Sequence, residues 1–93
     1  MLVMIDDVQF ESRERFFGYI SKALGCGDEE KIDSVSELFD VLCDFEDDIN
    51  VTFYDTEEIP SEMKEFAQEV FAAFLNAKST NDNLTVQFEK TSV

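Results

Sequence analysis

Hydrophobic positions along this chain switch between a helical and an alternating period, and the switches divide it into six elements. Leu2 to Ile5 is a continuous apolar run ended at once by Asp6 and Asp7. Its length and partly β-branched content suit a strand, in the middle of a small sheet or covered early by helices. From Phe10 to Leu24 the residues Phe16, Phe17, Ile20, Ala23 and Leu24 take helical spacing. Gly25 and Gly27 supply the stop, and Gly18 reads as a helix-packing glycine. A second helix is expected from about Ser34 to Asp44, because Ser34 and Glu37 form a capping box ahead of Val35, Leu38, Phe39 and Leu42. Ile49 to Tyr54 then alternates Val51 and Phe53 with Thr52 and Tyr54, as a strand does. After acidic loop residues 55 to 58, Pro60 suits a first helical turn, and Met63, Phe66, Ala67, Val70, Phe71 and Phe74 form an apolar stripe reaching about Lys78. Asn81, Asp82 and Asn83 break that helix. In the final run Leu84, Val86 and Phe88 face one way and Thr85, Gln87 and Glu89 the other.

The order is therefore strand, helix, helix, strand, helix, strand, with enough chain between successive strands for right-handed parallel crossovers. This predicts an α/β fold with three parallel strands. The polar face of the last strand predicts helices on one face of the sheet only, a two-layer arrangement. At 93 residues the chain makes one domain, and ten phenylalanines supply apolar area enough for a core.

Composition narrows the chemistry. Twenty-two Asp and Glu against seven Lys and Arg leave a formal charge of -15, which repels nucleic acid and anionic membrane and attracts basic surfaces. The opening apolar run is too short for a signal-peptide core or a membrane span, so a cytoplasmic protein is expected. Cys26 and Cys43 lack CxxC spacing and the chain has no histidine, so neither a zinc site nor a Cys-His pair can be assembled. Two small thiols are expected in place of a structural disulfide. No phosphate-binding glycine loop is present, and Asp44 to Asp55 lacks the glycine and the alternating aspartates of a calcium loop. Carboxylates on a convex helix, without a His, Lys or Ser partner pattern, do not make an acid-base pair. No enzyme activity and no cofactor are expected.

The charge is concentrated. Positions 28 to 48 hold ten acidic residues and one base, Lys31. At about 100° per residue, Asp33, Glu37, Asp40 and Asp44 fall within about 60° of one another, opposite Val35, Leu38 and Leu42. Like charges spaced i, i+4 destabilise a helix by a few tenths of a kcal/mol per pair, so stability does not select this stripe. It reads either as a solvated face that keeps the chain soluble or as a docking face that steers a basic partner.

The helix Val35-Ser36-Glu37-Leu38-Phe39-Asp40-Val41-Leu42, together with Phe71-Ala72-Ala73-Phe74-Leu75-Asn76-Ala77-Lys78 and Asn83-Leu84-Thr85-Val86, resembles the barstar family of small acidic ribonuclease inhibitors. The likeness spans nearly the whole chain in element order and is clearest at Leu38-Phe39-Asp40-Val41-Leu42, where the family typically has Leu-Trp-Asp-Ala-Leu. It implies a parallel sheet in strand order 1-2-3 with helices on one side, and a function of binding without catalysis. In the family, the second helix and the loop before it plug the ribonuclease active site. The aspartate of Leu-Trp-Asp there replaces the scissile phosphate, and Asp40 matches it. The chain departs from the pattern at Ser36, where the family often has a second aspartate, with Glu37 one place later. It also has Phe39 for tryptophan, Asn76 for a glutamate, and Asp28-Glu29-Glu30-Lys31-Ile32 for an aromatic, glycine-containing loop.

The resemblance thus implies a monomeric cytoplasmic inhibitor of a basic ribonuclease or related basic toxin, binding through Asp40 with Asp33, Ser36, Glu37, Phe39 and Asp44. The alternative is an acidic interaction or nucleic-acid-mimic module whose partner is a basic protein other than a nuclease. A third reading is a fold with this charge pattern and no tight partner.

Overall fold

The structure is a computed structural model of the 93-residue chain and describes residues 2–25 and 32–89. Strand β1 (Leu2–Ile5) is followed by helix α1 (Arg13–Ala23), helix α2 (Val35–Asp44), strand β2 (Ile49–Tyr54), helix α3 (Lys64–Thr80) and strand β3 (Leu84–Glu89). All strand pairing is parallel and the order is β1-β2-β3, so the fold is a two-layer α/β arrangement. Gly27 and Cys26, read from the sequence as a helix stop and a thiol, lie outside the described residues, as do Asp28 to Lys31.

Register sorts the side chains. Val3, Val51 and Val86 line up across the sheet, as do Ile5, Phe53 and Phe88, and this face carries the core. Leu2, Asn50 and Thr85 form one row on the opposite face, and Met4, Thr52 and Gln87 the next. Leu2 and Met4 are exposed, which corrects the expectation for β1. It is an edge strand with one uncovered face, and β2 takes the middle. The Tyr19 hydroxyl, from α1, donates to the Met4 carbonyl and ties the helix layer to this edge.

The core is aromatic. Phe10 stacks on Phe16 with ring centroids 5.1 Å apart, and Phe53 stacks on Phe88 at 5.3 Å. Phe17, Phe66, Phe71 and Phe74 join them edge-on, the geometry in which the electropositive ring edge meets a ring face. Phe88 shares this network, yet 46% of it stays exposed at the end of β3. Arg13 lays its guanidinium over Phe66 at 4.6 Å and so covers the outer side of the cluster.

Three local features differ from the pattern-based reading. Phe10 belongs to a separate 3-10 turn, Asp7–Phe10, closed by a capping box in which Asp6 accepts from Val8 N–H and Gln9 accepts from Asp6 N–H. The α1 helix starts only after Ser12, whose hydroxyl accepts from Arg15 N–H. Pro60 precedes the 3-10 turn Ser61–Met63 that leads into α3, and α3 runs two residues past Lys78 to Thr80. Gly25 stops α1 at a φ of 77°, as a helix-terminating glycine should.

Gly18 is not required by packing. A Cβ built there meets nothing within 4 Å, so the residue only lowers the helical propensity of α1. Gly18→Ala is expected to stabilise the protein by about 0.5–1 kcal/mol, read as a rise in the urea midpoint at unchanged slope.

Candidate docking face on the second helix

Helix α2 begins where the sequence places it. The Ser34 hydroxyl accepts from Glu37 N–H at 3.1 Å, and Leu38 N–H reaches the Ser34 carbonyl at 3.0 Å. The return half of the capping box is shifted by one residue, because the Glu37 carboxylate accepts from Asp33 N–H at 3.4 Å. That carboxylate also sits at the positive end of the helix dipole, which favours it. Just upstream, the Ser21 hydroxyl of α1 is buried. It accepts from Ile32 N–H at 2.9 Å and donates to the Ile32 carbonyl at 3.3 Å. The start of α2 is therefore anchored to α1 as well as capped.

The other end has no basic residue in its last turn, while Asp44 lies within it and Glu46 and Asp47 follow. Negative charge at a helix C-terminus opposes the dipole and leaves the last carbonyls in need of donors. Asn81, at the end of α3, supplies them. Its amide donates to the carbonyls of Leu42 and Phe45, each at 2.9 Å, while its own oxygen accepts from Asn83 N–H. The Asn83 amide adds a bond to the Glu46 carbonyl at 3.0 Å. From the sequence these asparagines read only as helix breakers. Their partners lie more than 30 positions away, so no local pattern could reveal them.

Between these anchors Leu38 and Leu42 are completely buried against the core. Ser36, Glu37, Asp40 and Asp44 are exposed, as the periodicity predicts. Asp33 is also exposed, but it precedes the Ser34 cap and so is not on the helix. The acidic stripe proper is Glu37, Asp40 and Asp44, with Asp33 set back at the entry, beside Arg13, Glu14 and Phe17.

Four of the six candidate residues line two depressions. Asp40 and Asp44, with Val41, Phe45, Glu46 and Asp47, surround an open recess of about 500 Å³ at the C-terminal end of α2. Ser36 and Phe39, with Val35, face a groove of about 540 Å³ shared with α3, whose Glu69, Ala72, Ala73 and Asn76 form the other wall. Arg13 lines that groove too. Phe39 and Phe45 are half-buried, with one side packed on the core and the other turned to these depressions. Cys43 is a half-buried free thiol.

Among the described residues, no three carboxylate or thiol ligands converge as a metal site would need, and no helix is long and apolar enough to cross a membrane. The surface of α2 offers hydrogen-bond acceptors and negative charge beside partly exposed aromatic rings. This arrangement can take up cations and apolar side chains. No family model matches the chain, and no curated protein matches it.

Two outcomes test this description. Asn81→Ala removes two bonds to the end of α2 and should destabilise the protein by about 1–3 kcal/mol in urea unfolding, against less than about 0.5 kcal/mol for Asp82→Ala. Raising ionic strength from about 0.01 M to about 0.15 M should raise the melting temperature, because it screens repulsion within a chain of charge -15. A flat response would show that the clustered carboxylates do not oppose folding.

Proposed function

We propose that this chain is a barstar-like inhibitor that binds a basic ribonuclease, or a related basic toxin, in the cytoplasm and blocks its active site without chemistry of its own. The observation that carries the proposal is the held helix. Its two ends are fixed by Ser34, Ser21, Asn81 and Asn83, and its exposed side presents Glu37, Asp40 and Asp44 with no base among them. Such a surface loses little conformational freedom on binding, which favours tight association. The three-stranded parallel sheet in order 1-2-3, with its core on one face, agrees with the fold that the resemblance implies.

In this reading Asp40 enters the phosphate-binding pocket of the enzyme, where arginines and lysines that normally hold the scissile phosphate meet a carboxylate. Glu37 and Asp44 flank it one helical turn away on either side, and Asp33 extends the negative field at the helix entry. Ser36 and Phe39 provide the uncharged edge of the contact. Steering by the stripe raises the association rate at low salt, and burial of Asp40 against cations slows dissociation.

Titrating the chain into a basic ribonuclease from the same genome, with hydrolysis of a fluorogenic RNA as readout, is expected to abolish activity at one equivalent. Asp40→Ala should weaken inhibition by about 3 kcal/mol or more, since it leaves enzyme cations buried and unpaired. Inhibition unaffected by Asp40→Ala would reject the assigned role. A complex that forms with full retention of activity would favour a module for a basic partner that is not a nuclease.

A further inference from the structure

The groove between α2 and α3 differs in character from the acidic stripe beside it. Its walls are Val35 and Phe39 on one side and Ala72 and Ala73 on the other. It also holds one charge of each sign, Arg13 and Glu69. The Arg13 guanidinium is held over the ring of Phe66 at 4.6 Å and lies 5.9 Å from the ring of Phe17. The groove is therefore close to electrically neutral, although it borders the most acidic helix of the chain.

The phenylalanines divide in the same way. Eight of the ten engage one another in the core ring network, and the two outside it among the described residues are Phe39 and Phe45. Phe39 keeps part of its ring available to the groove. Exposed aromatic surface in a concave, neutral setting is what an apolar anchor residue seeks, whereas a cation gains more from the carboxylates next door.

We infer that the α2–α3 groove receives an aromatic or branched aliphatic side chain of the same basic partner whose cations meet Asp40 and Asp44. This rests on the docking reading proposed above and specifies the partner further. On α2, Phe39 and Asp40 are adjacent and differ by about 100° around the helix axis, with Ser36 between the two directions. An anchor and a neighbouring base therefore lie close together on the partner's surface, at a spacing that a short peptide can also present.

Two probe peptides separate the contributions, acetyl-Lys-Ala-Phe-Ala-Lys-amide and its all-alanine counterpart acetyl-Lys-Ala-Ala-Ala-Lys-amide. Each is titrated into the full chain at low salt and followed by NMR. Both are expected to shift the backbone amides of Asp40 and Asp44. Only the phenylalanine peptide should shift the methyl groups of Ala72 and Ala73, and it should bind about tenfold more tightly.

Ala72→Trp fills the groove from an exposed position without altering charge. It should remove that tenfold advantage and leave the alanine peptide unaffected. The inference is overturned if the phenylalanine peptide has no advantage, or keeps it in Ala72→Trp, while Asp40 and Asp44 respond to both. Silence of Asp40 and Asp44 toward both peptides would instead defeat the acidic docking reading from which the partner's basic character is drawn.

Discussion

The Asn81 side chain, by donating to two carbonyls at the end of α2, holds in place the most acidic of the three helices. Without those donors the final carbonyls of α2 would face three nearby carboxylates, Asp44, Glu46 and Asp47, and a dipole of the same sign. A neutral amide satisfies the carbonyls while adding no cation that could pair with the acids and blunt their field. The same residue ends α3, and its neighbour Asn83 hands the chain to β3 through the bond from Ile49 N–H to the Asn83 carbonyl. One turn thus sets helix, helix and sheet relative to each other.

Ring packing and surface charge draw on different parts of the chain. The aromatic network joins the turn Asp7–Phe10, α1, β2, α3 and β3, and includes no ring from α2. Helix α2 is instead attached by Leu38 and Leu42, by its caps and by packing chiefly against α3. An unfavourable row of carboxylates can therefore be carried on the outer side of α2, because its inner side, Leu38 and Leu42, joins the core that the rings build. The exposed side of that helix takes no part in the core.

Much of this was legible in local sequence. Ser34 with Glu37, the run Val35, Leu38 and Leu42, and the alternation from Ile49 to Tyr54 each contain their own periodicity and boundary signals, and α2 and β2 end where those signals place them. The exposure of Glu37, Asp40 and Asp44 follows from the same period. Angle counting extends the stripe to Asp33 because it takes no account of the extended backbone at the cap, where Ser34 has φ -146° and ψ 158°. The Asp6 to Gln9 box and the Ser12 cap were readable but masked by the apolar spacing of Phe10 with Phe16 and Phe17, which merged two elements into one. The edge position of β1 and the Asn81 contacts are properties of tertiary arrangement, and no window along the chain encodes them.

The reciprocal bonds between Ser21 and Ile32 bring together two points eleven residues apart, one at the last turns of α1 and the other at the threshold of α2. They act as a clasp that sets the entry of α2 directly against α1. A single small hydroxyl thus carries the alignment of two helices, and a bulkier or apolar side chain at position 21 would release the entry of α2 while leaving the strand ladder intact.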